Sequence, residues 1–106
     1  MAKPQIPKDV KEQVNARIVA FNARHHCEYM ASYKKGCLFL DRNDEGMKTH
    51  VCRLMYKGEI DYWGFAIYKY SDNEYDENEW FPGFGDVDGT VEGAMRAGLK
   101  AYTVDF

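Results

Sequence analysis

The stretch from residue 49 to residue 70 constrains the fold most, because apolar and aromatic side chains alternate with others along two runs. The runs cover residues 49–56 and 62–70 and are rich in the β-branched and aromatic residues that strands favour. A five-residue connection that contains a glycine joins them. This pattern predicts a β-hairpin.

Alternation along the second run divides its side chains between two faces of the predicted sheet. Trp63, Phe65 and Ile67 fall on one side, which the apolar composition assigns to the core. The residues on the other side are Tyr62, Gly64, Ala66, Tyr68 and Tyr70. The hairpin is therefore predicted to have one core face and one face of small residues and tyrosines.

One helix and two further strands are predicted before this hairpin. Residues 7–25 carry an apolar stripe at helical spacing, formed by Val10, Val14, Ile18 and Phe21. Residues 28–34 and 37–42 have the composition of strands, and Lys35-Gly36 between them is typical of a tight turn. Connections this short leave no room for parallel crossovers, so we expect an antiparallel meander of four strands.

The chain after the hairpin contains a long acidic loop and a second helix. Residues 71–89 form the predicted loop, and three aromatic side chains are expected to anchor it: Trp80, Phe81 and Phe84. Thr90 is predicted to cap a helix over residues 91–102, whose many small residues indicate close packing. The expected fold is α+β, with an N-terminal helix, a four-stranded meander and a C-terminal helix, both helices on one face of the sheet.

Length and composition predict one domain over residues 1–106, with a flexible N-terminus at residues 1–6. Hydrophobic residues make up 45% of the 106 positions, which is enough for a single core. No apolar run approaches the roughly 18 residues that cross a bilayer, and the N-terminus lacks the apolar stretch of a signal peptide. Three cysteines fit reduced thiols. We therefore expect a cytoplasmic protein without membrane contact.

The net charge of −3 conceals an asymmetry along the chain. Residues 1–57 carry eleven Lys and Arg against six acidic residues, whereas residues 58–106 carry three against eleven. Such a distribution could attract a second copy or preserve a basic patch on an acidic protein. The alternative is that the two halves interleave in the fold and their charges mix.

No sequence pattern identifies catalytic residues, a cofactor or a metal. The nucleophile elbow, the phosphate loop and the dinucleotide fingerprint are absent, and we expect a protein that is not an enzyme. The residues that could ligate a metal are His25, His26, Cys27, Cys37, His50 and Cys52. They lack the close Cys or His pairs typical of zinc sites, although His50 and Cys52 are predicted to point the same way on a strand.

The tyrosine face is the predicted interaction surface, because a contiguous apolar patch left uncovered by both helices marks a binding site. The residues assigned to it are Tyr62, Tyr68, Tyr70, Tyr56 and Arg53. We expect a homodimer formed through this face, with another protein partner as an alternative. In a further alternative, the loop at residues 71–89 folds across the face and buries the tyrosines itself.

Residues 63–68, Trp-Gly-Phe-Ala-Ile-Tyr, resemble the aromatic strand of RNA-recognition motifs. In that family the sheet face stacks bases, so the resemblance implies a single-stranded nucleic-acid binder that uses basic and aromatic sheet residues. The predicted element order differs from the family's βαββαβ, and net acidity opposes phosphate binding. Binding of single-stranded nucleic acid is therefore the runner-up function, and an enzyme with an unrecognised site is the remaining alternative.

Overall fold

The computed structural model describes residues 5–77, 81 and 83–102, and it contains two helices and one sheet. The elements in chain order are α1 (Lys8–His25), β1 (Tyr29–Lys34), β2 (Cys37–Asp44), β3 (Met47–Glu59), β4 (Tyr62–Lys69), β5 (Glu74–Asp76), a 3-10 turn (Phe84–Asp86) and α2 (Val91–Ala101). The sheet is antiparallel throughout, with spatial order β1-β2-β3-β4-β5. The predicted α+β meander is confirmed, and a short fifth strand extends it.

Both helices pack on the same face of the sheet. The predicted stripe of α1 is buried, and its members are Val10, Val14, Ile18 and Phe21. From the sheet, Trp63 and Ile67 are 4% and 3% exposed, as predicted, while Phe65 is only partly buried. No helix in the described part of the chain is both long and apolar enough to cross a membrane.

Two-residue turns join the first three strands. Lys35 and Gly36 have φ values of 51° and 76°, and Glu45 and Gly46 have values of 56° and 87°. Two successive residues with positive φ are characteristic of the type I′ turn, whose twist matches that of the flanking strands. The predicted hairpin at Lys35-Gly36 is confirmed, and the same device recurs between β2 and β3.

A β-bulge at Val51 changes which side chains share a face on β3. Leu40 pairs with Cys52, but the next residue of β2 pairs with His50, so Val51 has no partner of its own. Val51 and Cys52 both belong to the core, whereas the His50 ring lies on the opposite side of the sheet, against Tyr68. The prediction that His50 and Cys52 point the same way is therefore wrong, because the bulge breaks the alternation.

Helix α2 lies very close to the sheet, as its small residues predict. A Cβ added at Gly98 would overlap the Tyr29 hydroxyl and lie 2.5 Å from Val51 Cγ1, so only glycine fits there. The Thr90 hydroxyl accepts a hydrogen bond of 2.9 Å from the backbone N–H of Gly93. The predicted cap is thus confirmed.

A buried arginine joins the sheet to the C-terminal end of α2. Arg42 is 1% exposed, and its Nε donates to Asp44 at 2.8 Å. One terminal nitrogen donates to the carbonyl of Gly98 at 3.4 Å, and the other donates to the carbonyl of Tyr102. A cation at this end complements the helix dipole. It gives the Tyr102 carbonyl a donor, whereas the Gly98 carbonyl also accepts from the Tyr102 N–H at 2.9 Å.

The predicted loop at residues 71–89 contains β5 and the 3-10 turn. Phe81 is buried and stacks on Phe65 with ring centroids 5.6 Å apart, so it anchors the segment as predicted. Phe84 contacts Phe81 but remains 46% exposed. Trp80, the third predicted anchor, lies outside the described residues. In the predicted flexible N-terminus, residues 1–4 also lie outside them, and Ile6 is buried in the core.

Candidate binding face

The sheet side opposite α1 and α2 is uncovered by helix, and we call it the open face. Strand alternation and cross-strand pairing define it: Phe39 pairs with Arg53, and Arg53 pairs with Ala66 in the next strand. Its exposed or half-buried side chains are Met30, Ser32, Lys34, Phe39, Lys48, His50, Arg53, Met55, Lys57, Tyr62, Tyr68 and Tyr75. Aromatic and cationic groups therefore dominate this surface.

An aromatic cluster around Tyr75 occupies the middle of the open face. The Tyr75 ring meets Tyr68 edge to face at 5.0 Å and Phe39 at 5.5 Å, and the Arg53 guanidinium lies 5.6 Å from its centre. Burial raises the pKa of Tyr75 to about 12. Ala66, which is small and 1% exposed, lies in the row beneath this cluster. The rings form an apolar platform that is held in place by their edge-to-face contacts.

A buried carboxylate lies next to this platform. Asp41 is 6% exposed, and its oxygens lie 2.9 Å from His50 Nδ1 and 3.4 Å from Lys48 Nζ. The His50 ring also packs against Tyr68 with centroids 5.0 Å apart. An Asp–His pair can orient an imidazole for proton transfer. Within the described residues, however, no hydroxyl or thiol is hydrogen-bonded to the imidazole, so the pair lacks a nucleophile.

A shallow groove of about 420 Å³ connects the platform to the carboxylate. Its lining includes Phe39 and Tyr75 on the apolar side, and Lys34, Lys48 and His50 on the polar side. Aromatic faces contact planar or apolar ligand groups, and lysines contact anions. The groove is therefore suited to a ligand that carries a planar or apolar group together with an anionic group.

A second exposed group lies at the other end of the face. Tyr62 is 55% exposed, and Lys57 Nζ lies 5.2 Å from the centre of its ring. Beside them, Gly64 leaves space that the Lys57 stem fills, at 3.1 Å from where a Cβ would stand. Neither Lys34 nor Lys57 forms an ion pair within the described part of the chain.

The structure places the five predicted interaction residues in three different settings. Tyr62, Tyr68 and Arg53 lie on the open face. Tyr70 lies at the end of the sheet, where its hydroxyl accepts from the His50 backbone N–H at 2.7 Å. Burial raises the pKa of Tyr70. Tyr56 lies instead on the helix-covered face, 6% exposed, because it pairs with a core residue of β4.

The acidic loop covers part of the open face. Tyr75 reaches the platform from β5, and Glu77 lies 3.3 Å from Arg53, but Tyr62 stays exposed. Arg17 in the basic half of the chain pairs with Asp61 at 2.6 Å and Glu92 at 3.5 Å. The charges of the two halves therefore mix at these points, while cations predominate on the open face.

The possible metal ligands do not come together. In the part of the chain that the structure describes, no group of three or more His, Cys, Asp or Glu side chains could hold a metal ion. The three cysteines are unpaired; Cys37 and Cys52 are buried and Cys27 is half-buried. Cys52 is fully buried in the core, and this burial raises the pKa of its thiol.

Comparisons with models of protein families, with curated proteins and with solved structures found no match to this chain. Its own geometry is therefore the basis for a functional argument. Sequence reasoning missed three residues of the site: Phe39, Asp41 and Tyr75. Alternation with Leu38 and Leu40 could have placed Phe39 on the open face, whereas β5, which carries Tyr75, is too short and polar to be evident.

Proposed function

We propose that the protein is a small non-enzymatic binding domain whose open face is an interface with a second copy of the chain. The observation that carries this proposal is the aromatic surface left uncovered by both helices, on which Tyr62 is 55% and Met30 is 41% exposed. Exposed aromatic and methionine side chains are enriched at interfaces. A cytoplasmic setting, in which thiols stay reduced, fits the three free cysteines.

The area of the open face is sufficient for a dimer of modest affinity. Strands of eight residues, spaced about 4.8 Å apart with a rise of about 3.3 Å per residue, give a face of roughly 500–600 Å². Two copies packed face to face would bury roughly 1,000–1,200 Å², which is at the lower end for specific interfaces. We therefore expect an equilibrium between monomer and dimer in the micromolar range.

Sedimentation equilibrium at micromolar concentrations tests this proposal. Tyr62→Glu places a charge on the open face and should yield monomers, because the dimer would bury that charge unpaired. Val19→Glu is the matched control, since Val19 is 68% exposed on α1, on the other side of the sheet. It should leave the dimer intact. A purely monomeric unmodified protein would rule out the interface.

The groove favours a second candidate function, the binding of single-stranded nucleic acid. Its aromatic side chains could stack bases, while Lys34, Lys48 and Arg53 could contact phosphates. The acidic loop opposes this function, because Glu77 already pairs with Arg53. We therefore rank it below the dimer.

Titration of fluorescent single-stranded RNA and DNA at low and moderate salt separates the two candidates. The dimer proposal predicts no binding at either salt concentration. Nucleic-acid binding would instead weaken steeply with salt, and Arg53→Ala would reduce that dependence. Tyr68→Ala would then weaken stacking by about 1–3 kcal/mol. Tight, salt-sensitive binding would promote this candidate above the dimer.

A further inference from the structure

The outer edge of β1 presents main-chain groups without partners. The Glu28 carbonyl accepts from the Asn43 N–H at 2.9 Å, so Glu28 and every second residue after it face β2. The main-chain groups of Tyr29 point away from β2. Its N–H donates to the side-chain amide of Asn22 at 2.8 Å, and its C=O accepts from that amide at 3.1 Å. Alternation turns the N–H and C=O groups of Ala31 and Tyr33 to the same outer side. The described residues offer them no hydrogen-bond partner.

A lysine-lined pocket lies at the end of this edge. It encloses about 80 Å³, and its lining includes Lys11, Lys34 and Lys35 but no carboxylate. The Lys11 ammonium lies 5.0 Å from the ring of Tyr33, which holds it beside β1. Three cations without an acidic neighbour in the lining form a site for negative charge.

Helix α1 places one exposed apolar side chain beside the same edge. Asn15 accepts a hydrogen bond of 2.9 Å from the Tyr33 hydroxyl, and Asn22 holds Tyr29 at the other end of β1. Val19 lies between these two asparagines at helical spacing, on the same side of α1, and is 68% exposed. A chain running along β1 would therefore have an apolar side chain within reach.

We propose that the edge of β1 binds an extended acidic peptide segment of a partner protein, which adds to the sheet as a sixth strand. Strand addition takes its affinity from main-chain hydrogen bonds and its selectivity from side-chain contacts. The three lysines at the end of the edge select acidic side chains in the added segment. The edge shares Lys34 with the open face but uses main-chain groups that the open face does not, so this proposal does not depend on the dimer.

Fluorescence anisotropy with a designed peptide tests this proposal. The peptide is fluorescein-labelled Glu-Val-Glu-Thr-Glu-Val-Glu-Thr, and the unmodified protein should bind it saturably. One control peptide has the same sequence with alternate backbone nitrogens methylated, which removes the donors needed for strand addition. The other replaces every Glu with Lys. Both controls should bind at least about tenfold more weakly.

Variants of β1 locate the binding site. Ala31→Pro removes an outward N–H that β2 does not use, so the fold should persist while peptide binding is lost. Lys34→Gln combined with Lys35→Asn should raise the Kd about tenfold and reduce its salt dependence. Lys57→Gln, a charge loss on the open face, is the control and should leave the Kd unchanged.

Hydrogen exchange on the unmodified protein keeps the test decisive if Ala31→Pro fails to fold. Bound peptide should slow exchange of the Ala31 and Tyr33 amides, which are free in its absence. The proposal would be overturned if the methylated peptide bound as tightly as the unmethylated one, or if Lys57→Gln raised the Kd as much as the double lysine variant. Protection confined to other strands, or binding that does not saturate by about 1 mM peptide, would also overturn it. Peptide binding unchanged in Tyr62→Glu would support the separation of the two surfaces.

Discussion

Replacing Arg42 with methionine should destabilise the protein severely, although methionine fills a similar volume. The guanidinium is 1% exposed and serves two carbonyls at the end of α2, those of Gly98 and Tyr102. Methionine cannot donate to either carbonyl. The Gly98 carbonyl keeps its hydrogen bond of 2.9 Å from the Tyr102 N–H, so the substitution removes a second donor from Gly98 and the guanidinium donor from the part-buried Tyr102 carbonyl.

The expected cost follows from these contacts. Each buried polar group left without a partner costs about 1–3 kcal/mol, and loss of the Asp44 pair adds little because Asp44 is partly exposed. The free energy of unfolding should therefore fall by about 2–4 kcal/mol: about 1–3 kcal/mol for the Tyr102 carbonyl and about 1 kcal/mol for the second hydrogen bond to Gly98. This is a large fraction of the roughly 5–15 kcal/mol that stabilises a typical domain.

Urea unfolding followed by circular dichroism measures this loss. At a slope of roughly 1.5 kcal/mol/M, the midpoint should fall by about 1–3 M. Arg96→Met is the matched control, because Arg96 is a 43% exposed arginine on α2, the helix that Arg42 contacts, and its effect should stay within about 0.5 kcal/mol. Asp44→Asn isolates the contribution of the ion pair and should cost about 1 kcal/mol or less. An Arg42→Met variant as stable as the unmodified protein would refute the role assigned to the guanidinium.

Three further predictions concern packing and pH. Gly98→Ala should lower the free energy of unfolding by about 1–3 kcal/mol in urea titrations, because the added methyl overlaps the Tyr29 hydroxyl; a gain in stability would contradict the observed packing. Trp63→Ala should cost about 3–5 kcal/mol, and fluorescence quenching of the unmodified protein should find Trp63 protected. The hydrogen bond from the Thr90 hydroxyl lowers the pKa of Asp88, so its stabilisation is present above about pH 4 and lost as the pH falls further. Thermal melts of Asp88→Ala and the unmodified protein should therefore converge in acid; a constant difference would contradict this assignment.

The parts of the fold that sequence predicts are those set by local rules. The stripe of α1 ending at Phe21, the turn at Lys35-Gly36 and the cap at Thr90 each depend on a few neighbouring residues, and all three are confirmed. The bulge at Val51 could not be predicted in this way. The bulge depends on how β3 pairs with β2, which is not a property of neighbouring residues. A shift of one residue in this pairing moves the side chains beyond it to the other face of the sheet.

The parts of the candidate site that escaped prediction depend on long-range contacts. Arginine is a residue type that is mostly exposed, and Arg42 can be buried only because its guanidinium reaches carbonyls at the sequence-distant end of α2. Tyr75 lies in an acidic segment that becomes a strand only because the edge of β4 is available for pairing. Tyr56 was assigned to the interaction surface, although its pairing with Trp63 directs it into the core.

The packing of α2 against the sheet has a consequence for synthesis of the chain on the ribosome. Hairpins form in about 1–10 μs, so the meander can pair as soon as its strands are available. Helix α2 ends roughly 30 residues after β4, a delay of about 2–6 s at ordinary translation rates. During that interval Val51, which lies against Gly98 of α2 in the folded protein, lacks this cover. The nascent chain should therefore pass through a state that is prone to aggregation, and this state ends only when the last helix emerges.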